Sequence, residues 1–199
     1  MSQGAIAGLV LAAGESSRMG QDKALLEYRG RTFLENILHT LHSAGIGQLA
    51  VVLGHHAEEI RQQVNLSGVE VIVNHSYRQG QTSSLQAGLR ALLAREIEAI
   101  LLCLVDHPAI KSELIQQVCQ AYQESRAPVV VPRFQGRRGH PVLIGRALFQ
   151  PLLKLKPVEG ANTVLRQYRD QGYELEVNDP GVLWDIDDPT DYRRLVEET

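Results

Sequence analysis

Cysteine is scarce in this sequence, and long hydrophobic runs are missing. Only Cys103 and Cys119 occur, and they form no Cys-x-x-Cys pair. Both fall in apolar patterns, which indicates buried thiols in a reducing compartment rather than disulfides. No apolar run approaches the roughly 20 residues of a membrane span. Residues 1–10 lack the charged segment and cleavage site of a signal peptide, so we expect a cytoplasmic protein without membrane contact.

The sequence also lacks a basic bias and a recognisable metal-ligand spacing. It carries 20 Lys and Arg against 23 Asp and Glu, and the cations are scattered. We therefore expect no nucleic-acid partner. The seven histidines show neither His-x-x-x-His nor His-Glu-x-x-His spacing. His55 and His56 are adjacent, so we expect their side chains to point apart rather than share a metal ion.

A turn rich in small residues follows the first apolar run. Residues 9–23 read LVLAAGESSRMGQDK. This pattern predicts a buried strand and a phosphate-sized turn, because small residues let backbone N–H groups approach a ligand and Arg18 and Lys23 add cations. An ordinary strand-to-helix connection with solvated charges is the alternative.

Two familiar nucleotide-binding loops do not fit this turn. A P-loop needs four residues between its glycines and a lysine directly after the second, whereas five residues separate Gly14 from Gly20 and two more precede Lys23. The dinucleotide fingerprint needs three closely spaced glycines, and only two are present. The sequence therefore disfavours both a P-loop enzyme and a Rossmann dehydrogenase.

Short apolar runs alternate with helical patterns along the chain. Strands are predicted at 49–53, 69–73, 97–105, 128–132, 142–144 and 173–177. This alternation predicts a parallel sheet with helices on both faces. The chain length fits one domain, which we expect to span residues 1–199.

Several helix starts have sequence signals. Thr32 with Glu35, and Ser83 with Gln86, match the capping-box pattern. Asn162 is a candidate cap for a later helix. Asp188, which precedes Pro189, is expected to cap the last helix.

Carboxylates are expected at the carboxyl end of the sheet. Asp106 directly follows the most apolar run, and ligands gather at that edge of parallel sheets. Its charge needs a partner, which Mg²⁺ or a backbone N–H could supply. Asp185 and Asp187 would share one face of an extended segment, and a divalent cation would relieve their repulsion.

Five segments occur in the order found in the nucleotidyltransferases that act on molybdopterin, and the chain resembles that family. The segments are the turn at 9–23, GQTSSL at 80–85, LVDHP at 104–108, RRGHPV at 137–142 and DIDDP at 185–189. The pair Ala12–Ala13 resembles the molybdenum cofactor cytidylyltransferases, because the guanylyltransferases read LAGG there. Asp188 stands where the family has threonine, so the last segment matches imperfectly.

The resemblance implies a fold and a set of site residues. The fold is a three-layer α/β/α structure with a mostly parallel, Rossmann-like sheet of the GT-A-like nucleotidyltransferase type. Arg18, Lys23 and Asp106 would be catalytic, and Mg²⁺ would bind Asp106 and Asp187, with Asp185 as the alternate ligand. The implied nucleotide-binding residues are Leu11, Ala12, Ala13, Gly14, Glu15, Arg18, Lys23, Gln81, Ser83 and Ser84. The implied acceptor-binding residues are Arg137, Arg138, Gly139 and His140.

The reaction that the resemblance implies is transfer of CMP from CTP to the terminal phosphate of molybdopterin, with release of pyrophosphate. A molybdenum hydroxylase would be the client of the product. Three alternatives stay open. They are a guanylyltransferase that uses GTP, a nucleotidyltransferase for a sugar or polyol phosphate, and a maturation factor that binds the cofactor without chemistry.

Overall fold

A computed structural model describes residues 5–156 and 158–197. The ends of the expected 1–199 domain, at residues 1–4 and 198–199, lie outside the described residues. Among residues 5–156 and 158–197, no helix is long and apolar enough to cross a membrane.

Ten strands and seven α-helices form within the described residues. The strands are β1 (Ala5–Ala12), β2 (Glu27–Tyr28), β3 (Arg31–Thr32), β4 (Gln48–Leu53), β5 (Val69–Val73), β6 (Ile97–Leu104), β7 (Val129–Phe134), β8 (Arg137–Arg138), β9 (Val142–Gly145) and β10 (Tyr173–Glu176). The helices are α1 (Phe33–Ser43), α2 (Ala57–Gln63), α3 (Gln81–Leu92), α4 (Ser112–Ser125), α5 (Phe149–Leu153), α6 (Asn162–Gln167) and α7 (Pro189–Glu197). The predicted alternation of strands and helices is confirmed.

One mixed sheet organises the molecule. Its strand order is β10-β7-β9-β6-β1-β4-β5, and β8 pairs with β7 at one side. The pairs β6-β1, β1-β4, β4-β5 and β7-β10 are parallel, whereas β9 runs antiparallel to both of its neighbours. The mostly parallel α/β sheet expected from the sequence is thus present.

Helices cover both faces of this sheet. Alternate residues of each central strand point to opposite faces. Val10 therefore belongs to a core cluster with α1, α2 and α4, whereas Leu9 belongs to a second cluster with α3, α5 and α6. The molecule has the three-layer α/β/α arrangement, with an apolar core on each side of the sheet.

Two of the helix caps that the sequence predicts are present in the structure. Thr32 and Glu35 form the predicted capping box at the start of α1. Asp188 accepts hydrogen bonds from the N–H groups of Thr190 and Asp191, so its predicted capping role is confirmed. Gly45, just after α1, has a φ of +91°, which a glycine adopts without strain.

Two predicted caps are wrong. Helix α3 begins at Gln81 after Gly80, so Ser83 and Gln86 lie inside the helix and form no capping box. The Gln86 amide instead donates hydrogen bonds to the carbonyl groups of Leu152, Leu153 and Leu155 at the end of α5. Asn162 is the first residue of α6 and makes no capping hydrogen bond.

The cysteines lie where the sequence placed them. Cys103 is buried in β6, and Cys119 is half-buried on α4, both as free thiols. Burial raises the pKa of Cys103 to about 12 and that of Cys119 to about 11. Both side chains therefore act as core residues rather than nucleophiles.

Gly88 is the point at which α3 packs most tightly on the sheet. A Cβ atom there would lie 2.7 Å from a methyl group of Leu9 and 3.1 Å from one of Val52, and both residues are fully buried. We expect Gly88→Ala to lower the free energy of unfolding by about 1–3 kcal/mol, the usual cost of overpacking. Chemical denaturation of the purified variant measures this change.

Gly47→Ala is the matched control. Gly47 is exposed, and a Cβ atom there would meet no atom within 4 Å. Its free energy of unfolding should stay within about 0.5 kcal/mol of the wild type. Equal stabilities of the two variants would show that α3 does not depend on this close approach.

Candidate active site

Parallel pairing brings two distant chain segments together at one edge of the sheet. Strands β1 and β6 are neighbours, with Leu11 opposite Leu104. The Val105 N–H then donates a hydrogen bond to the carbonyl of Leu11, at 3.1 Å. The turn after β1 and Asp106 after β6 therefore lie side by side, as the sequence predicted.

The turn after β1 is closed by its own serine. The backbone N–H of Lys23 donates to the hydroxyl of Ser16 at 3.0 Å, and the N–H of Met19 donates to the carbonyl of Ser16 at 2.9 Å. Ser16 and Gly20 both have positive φ angles, a conformation that glycine adopts readily and that other residues adopt only occasionally. These contacts direct the Lys23 side chain towards the sheet edge.

Lys23 is the central cation of the site. Its ammonium nitrogen lies 2.7 Å from Oδ1 of Asp187 and 3.5 Å from Oδ2 of Asp106. The lysine side chain is only 11% exposed, so its charge depends on these carboxylates. Arg18 donates to the other oxygen of Asp187 at 2.7 Å. The hydrogen bond from Lys23 lowers the pKa of Asp187.

Asp185 lies close to Asp106 and remains exposed on its other face. Burial, followed by repulsion from Asp106 and Asp187, raises the pKa of Asp185 to about 6. Ligand atoms of Asp106, Asp185 and His107 lie within 4.8 Å of one another, which is close enough for one metal ion. Oδ1 of Asp106 is buried and has no hydrogen-bond partner among the described residues.

Backbone contacts hold the carboxyl-terminal acidic segment in place. The Ile186 N–H donates to the carbonyl of Asp106 at 2.9 Å. The Asp187 and Asp188 N–H groups donate to Oδ2 of Asp191, one turn into α7. Asp185 and Asp187 thereby face the site from a segment more than 70 residues after Asp106.

A cavity of about 340 Å³ opens between the turn and Asp106. Most of the residues that we expected to bind a nucleotide line it. They are Leu11, Ala12, Ala13, Gly14, Arg18, Lys23, Gln81 and Ser84. Among the described residues, Glu15 and Ser83 are expected site residues that do not line it. Glu15 instead pairs with Arg78, at 3.0 Å.

Asn74 holds the hydroxyl groups of Ser83 and Ser84 in place by hydrogen bonds. Its amide donates to the hydroxyl of Ser83 at 2.9 Å and to that of Ser84 at 3.0 Å. The Ser83 hydroxyl has the carbonyls of Gly80 and Ser76 as acceptors, so this side chain supports the start of α3 rather than facing the cavity. Ser84 reaches the cavity wall beside Gln81.

A second cavity, of about 420 Å³, adjoins the first through Gln81 and Leu104. Three of the expected acceptor residues, Arg138, Gly139 and His140, line it, whereas Arg137 is absent from its described lining. The guanidinium of Arg138 is paired with Glu174 of β10. The cavity is thus cationic on one side and apolar along β6 and β7.

Sequence reasoning missed several cavity residues. Arg166 of α6 and Arg169 just after it line the second cavity, and Asp22 and Tyr77 line the first. The two arginines at helical spacing after Asn162 are the one signal that could have indicated a basic helix face. Tyr77 carries no such signal, because only the fold brings it beside the turn.

Three curated proteins illustrate the sequence relatives. Nicotine blue oxidoreductase of Paenarthrobacter nicotinovorans is 33% identical over 81% of this chain and 82% of its own length. A probable molybdenum cofactor guanylyltransferase of Opitutus terrae is 30% identical over 83% of this chain and 73% of its own. The molybdenum cofactor cytidylyltransferase of Escherichia coli K12 is 27% identical over 92% of both chains.

Solved structures share the whole fold. Rv0371c of Mycobacterium tuberculosis H37Rv superposes with a TM-score of 0.86 and 32% identity, over 99% of this chain and 100% of its own. A crystal structure of Rv0371C in complex with manganese gives a TM-score of 0.81 with 30% identity, over 98% and 100% of the two chains.

The family model of the MobA-like NTP transferase domain matches residues 8–172. That range contains the turn after β1, Asp106 and all of the second cavity's described lining except Tyr173 and Glu174. The chain belongs to the family of MobA-like NTP transferase domains, and it is a nucleotidyltransferase.

Proposed function

We propose that this protein transfers CMP from CTP to the terminal phosphate of molybdopterin. The observation that carries the proposal is the pair of adjoining cavities, one ringed by Lys23, Arg18 and Asp106, and the other lined by arginines. A nucleoside triphosphate in the first and a phosphorylated acceptor in the second would meet where the cavities adjoin, at Gln81 and Leu104, two residues before Asp106. Two relatives named for molybdenum cofactor nucleotide transfer support this acceptor.

The chemistry is a displacement at phosphorus. An oxygen of the acceptor phosphate forms a bond to the α-phosphorus, and the bond between that phosphorus and the bridging oxygen to the β-phosphate breaks. Pyrophosphate leaves with the electron pair. The nucleophile is already an anion, so the protein needs no general base and instead reduces repulsion between two anions.

We assign to Lys23 and Arg18 the role of reducing the repulsion between the two anionic substrates. When a triphosphate enters, both cations can exchange part of their pairing with Asp187 for phosphate oxygens. The small side chains of Ala12, Ala13 and Gly14 leave room for a close approach of phosphate to the backbone. Positioning of two anionic substrates is then the main contribution of the protein.

The carboxylates fit a divalent cation. Oδ1 of Asp106 is buried without a hydrogen-bond partner among the described residues, and Asp185 is raised in pKa to about 6 by burial and by its acidic neighbours. We assign Mg²⁺ to Asp106, with Asp185 better placed than Asp187 as the second ligand, because both Asp187 oxygens already pair with cations. Such an ion neutralises developing charge on transferred phosphate oxygens.

The second cavity suits an acceptor that is part aromatic and part anionic. Val129, Val131 and Leu102 give one wall an apolar surface that a flat ring can cover, and Arg138, Arg166 and Arg169 supply cations. A guanidinium binds phosphate with two parallel hydrogen bonds. The same proposal treats residues 1–199 as one catalytic domain, since a single sheet carries both cavities.

A buried histidine pair lies between the carboxylates and the second cavity. The rings of His107 and His140 are 4.9 Å apart. Burial lowers the pKa of each to about 4, with Lys23 also opposing protonation of His107 and His107 opposing that of His140. Both rings are therefore neutral at physiological pH, so they add no cation to the metal site.

Asp106→Asn should abolish turnover without unfolding the protein. The amide keeps the volume of the carboxylate but removes a charge that the metal ion and Lys23 need. We expect kcat for pyrophosphate release with CTP and molybdopterin to fall at least about 100-fold. The melting temperature should stay close to that of the wild type, because Lys23 keeps its 2.7 Å ion pair with Asp187 and the repulsion between Asp106 and Asp185 is relieved. Glu58→Gln, on the exposed face of α2, is the control and should retain full activity; full activity of Asp106→Asn would refute the metal assignment.

CTP should be the preferred nucleotide. We expect kcat/KM with CTP to exceed that with GTP at least about tenfold, which corresponds to about 1.4 kcal/mol. Pyrophosphate release with CTP, GTP, ATP and UTP, together with mass spectrometry of the pterin product, measures this ratio. A preference for GTP would make the protein a guanylyltransferase. Binding of molybdopterin without turnover would favour a maturation factor, and turnover with sugar or polyol phosphates alone would replace the acceptor.

His107→Phe should change how stability depends on pH. Below pH 6.5 the unfolded chain protonates His107, whereas the folded protein resists protonation down to about pH 4. This residue therefore lowers wild-type stability as the pH falls through that range, by at most about 1.4 kcal/mol per pH unit. The phenylalanine variant should gain stability relative to the wild type between pH 7 and pH 4.5, measured by denaturation in EDTA.

The His107→Phe variant must be compared with the wild type at each pH, because the raised pKa of Asp185 changes the stability of both proteins in the opposite direction. Folded protein takes up a proton there near pH 6, before the unfolded chain does, which stabilises the folded state at acidic pH. Ring resonances in NMR spectra of the metal-free protein give the histidine values directly. A His107 titration near pH 6.5 would contradict the buried, neutral pair.

A further inference from the structure

A second group of metal-ligand side chains lies beside the phosphate turn. Asp22 ends the turn that follows β1, and His55 and His56 follow β4, the strand next to β1. The His55 N–H donates to the carbonyl of Ala13 at 3.2 Å, which ties the two segments together. One ligand atom from each of Asp22, His55 and His56 lies within 4.8 Å of the others.

The sequence-based expectation that the two histidines point apart is wrong. His56 has a φ of +53°, in the left-handed region, so its side chain turns back over that of His55. The two rings lie against each other with centroids 3.7 Å apart and planes inclined by 41°. Adjacent residues point apart only on an extended or regular helical backbone, and this one is neither.

A second carboxylate, that of Glu59, lies beside His56. Nδ1 of His56 lies 3.7 Å from Oδ2 of Asp22 and 3.9 Å from Oε2 of Glu59. The imidazole nitrogen is therefore flanked by two carboxylates. Two imidazoles and two carboxylates form a neutral set around a divalent cation, and zinc is commonly four-coordinate with such nitrogen and oxygen donors.

Asp22 provides an independent sign of a missing ligand. Its side chain is only 4% exposed. Oδ1 accepts a hydrogen bond from the N–H of Ala24, whereas Oδ2 is buried and has no hydrogen-bond donor among residues 5–156 and 158–197. Nδ1 of His55 is likewise buried without a partner in that part of the chain. A carboxylate oxygen and an imidazole nitrogen that are buried without a hydrogen bond each incur a desolvation cost that a bound cation would remove.

We propose that Asp22, His55, His56 and Glu59 form a zinc site that joins the phosphate turn to the segment after β4. Tetrahedral zinc with bonds of about 2.0–2.2 Å needs ligand atoms about 3.4 Å apart. The ligand atoms of Asp22, His55 and His56, which lie within 4.8 Å of one another, would have to draw together by side-chain rotation, and Glu59 would have to turn in from its position beside His56. The ion binds outside the Asp106–Asp185 cluster and performs no step of nucleotide transfer. It fixes Asp22, which directly precedes Lys23, against the segment after β4.

The site is tested by zinc binding to the full chain. Protein freed of metal by chelation is titrated with Zn²⁺ alone by calorimetry, in the Asp106→Asn background, which removes the central ligand of the competing Asp106–Asp185 cluster. We expect one equivalent to bind and the melting temperature to rise. Co²⁺ bound at the same site should give the intense visible absorption of tetrahedral coordination.

His56→Asn is the decisive variant. It should weaken zinc binding by more than the roughly 10–100-fold that loss of an outer hydrogen-bonding partner costs. His55→Asn is the second variant, in case the first does not fold, and His42→Asn on the exposed end of α1 is the control. Far-ultraviolet circular dichroism in EDTA shows that each variant is folded.

Three outcomes would overturn the site. They are the absence of zinc binding in the Asp106→Asn background, unchanged affinity in the folded His55 and His56 variants, and equal loss in His42→Asn. None of them depends on nucleotide transfer, because the assay contains no nucleotide. Failure of the zinc site therefore leaves the proposed cytidylyl transfer intact, and failure of that activity leaves the zinc measurement intact.

Discussion

The buried ammonium of Lys23 is the interaction on which the site depends. A lysine that is 11% exposed is unfavourable unless its charge is matched. The matching carboxylates come from Asp106, 83 positions along the chain, and Asp187, 164 positions along it. Their meeting requires the parallel pairing of β1 with β6 and the hydrogen bond from Ile186 to Asp106. The fold must therefore bring both carboxylates to Lys23, and this requirement constrains the arrangement of the whole site.

This constraint also explains how the acidic residues divide. Asp187 is held in its charged form by two cations, whereas Asp185 is pushed towards its neutral form by burial beside Asp106. Alternation along an extended segment predicts that both face one way, but it does not say which neighbour each will meet. The position of Lys23 determines that Asp187 forms the ion pair and that Asp185 is left to bind a metal ion.

Much of the fold could be predicted because its signals are local. Strand β5 spans Val69–Val73 as expected, the Thr32 capping box is present, and Asp188 caps α7. Gln86 could not be assigned from local pattern, because its partners are carbonyl groups at the end of α5. His56 could not be either, since nothing in the sequence announces its left-handed backbone. Side-chain partners distant in the chain are invisible to periodicity.

The hydrogen bond between Ile186 and Asp106 has a consequence for synthesis on the ribosome. Strands β1, β4, β5 and β6 can pair once residue 104 has emerged, which is about half of the chain. Asp106 follows two residues later as the first of the carboxylate partners of Lys23 to be made, whereas the segment that carries Asp185 and Asp187 is still missing. A nascent chain of that length thus holds the central strands of the sheet, while the acidic part of the candidate site is still incomplete.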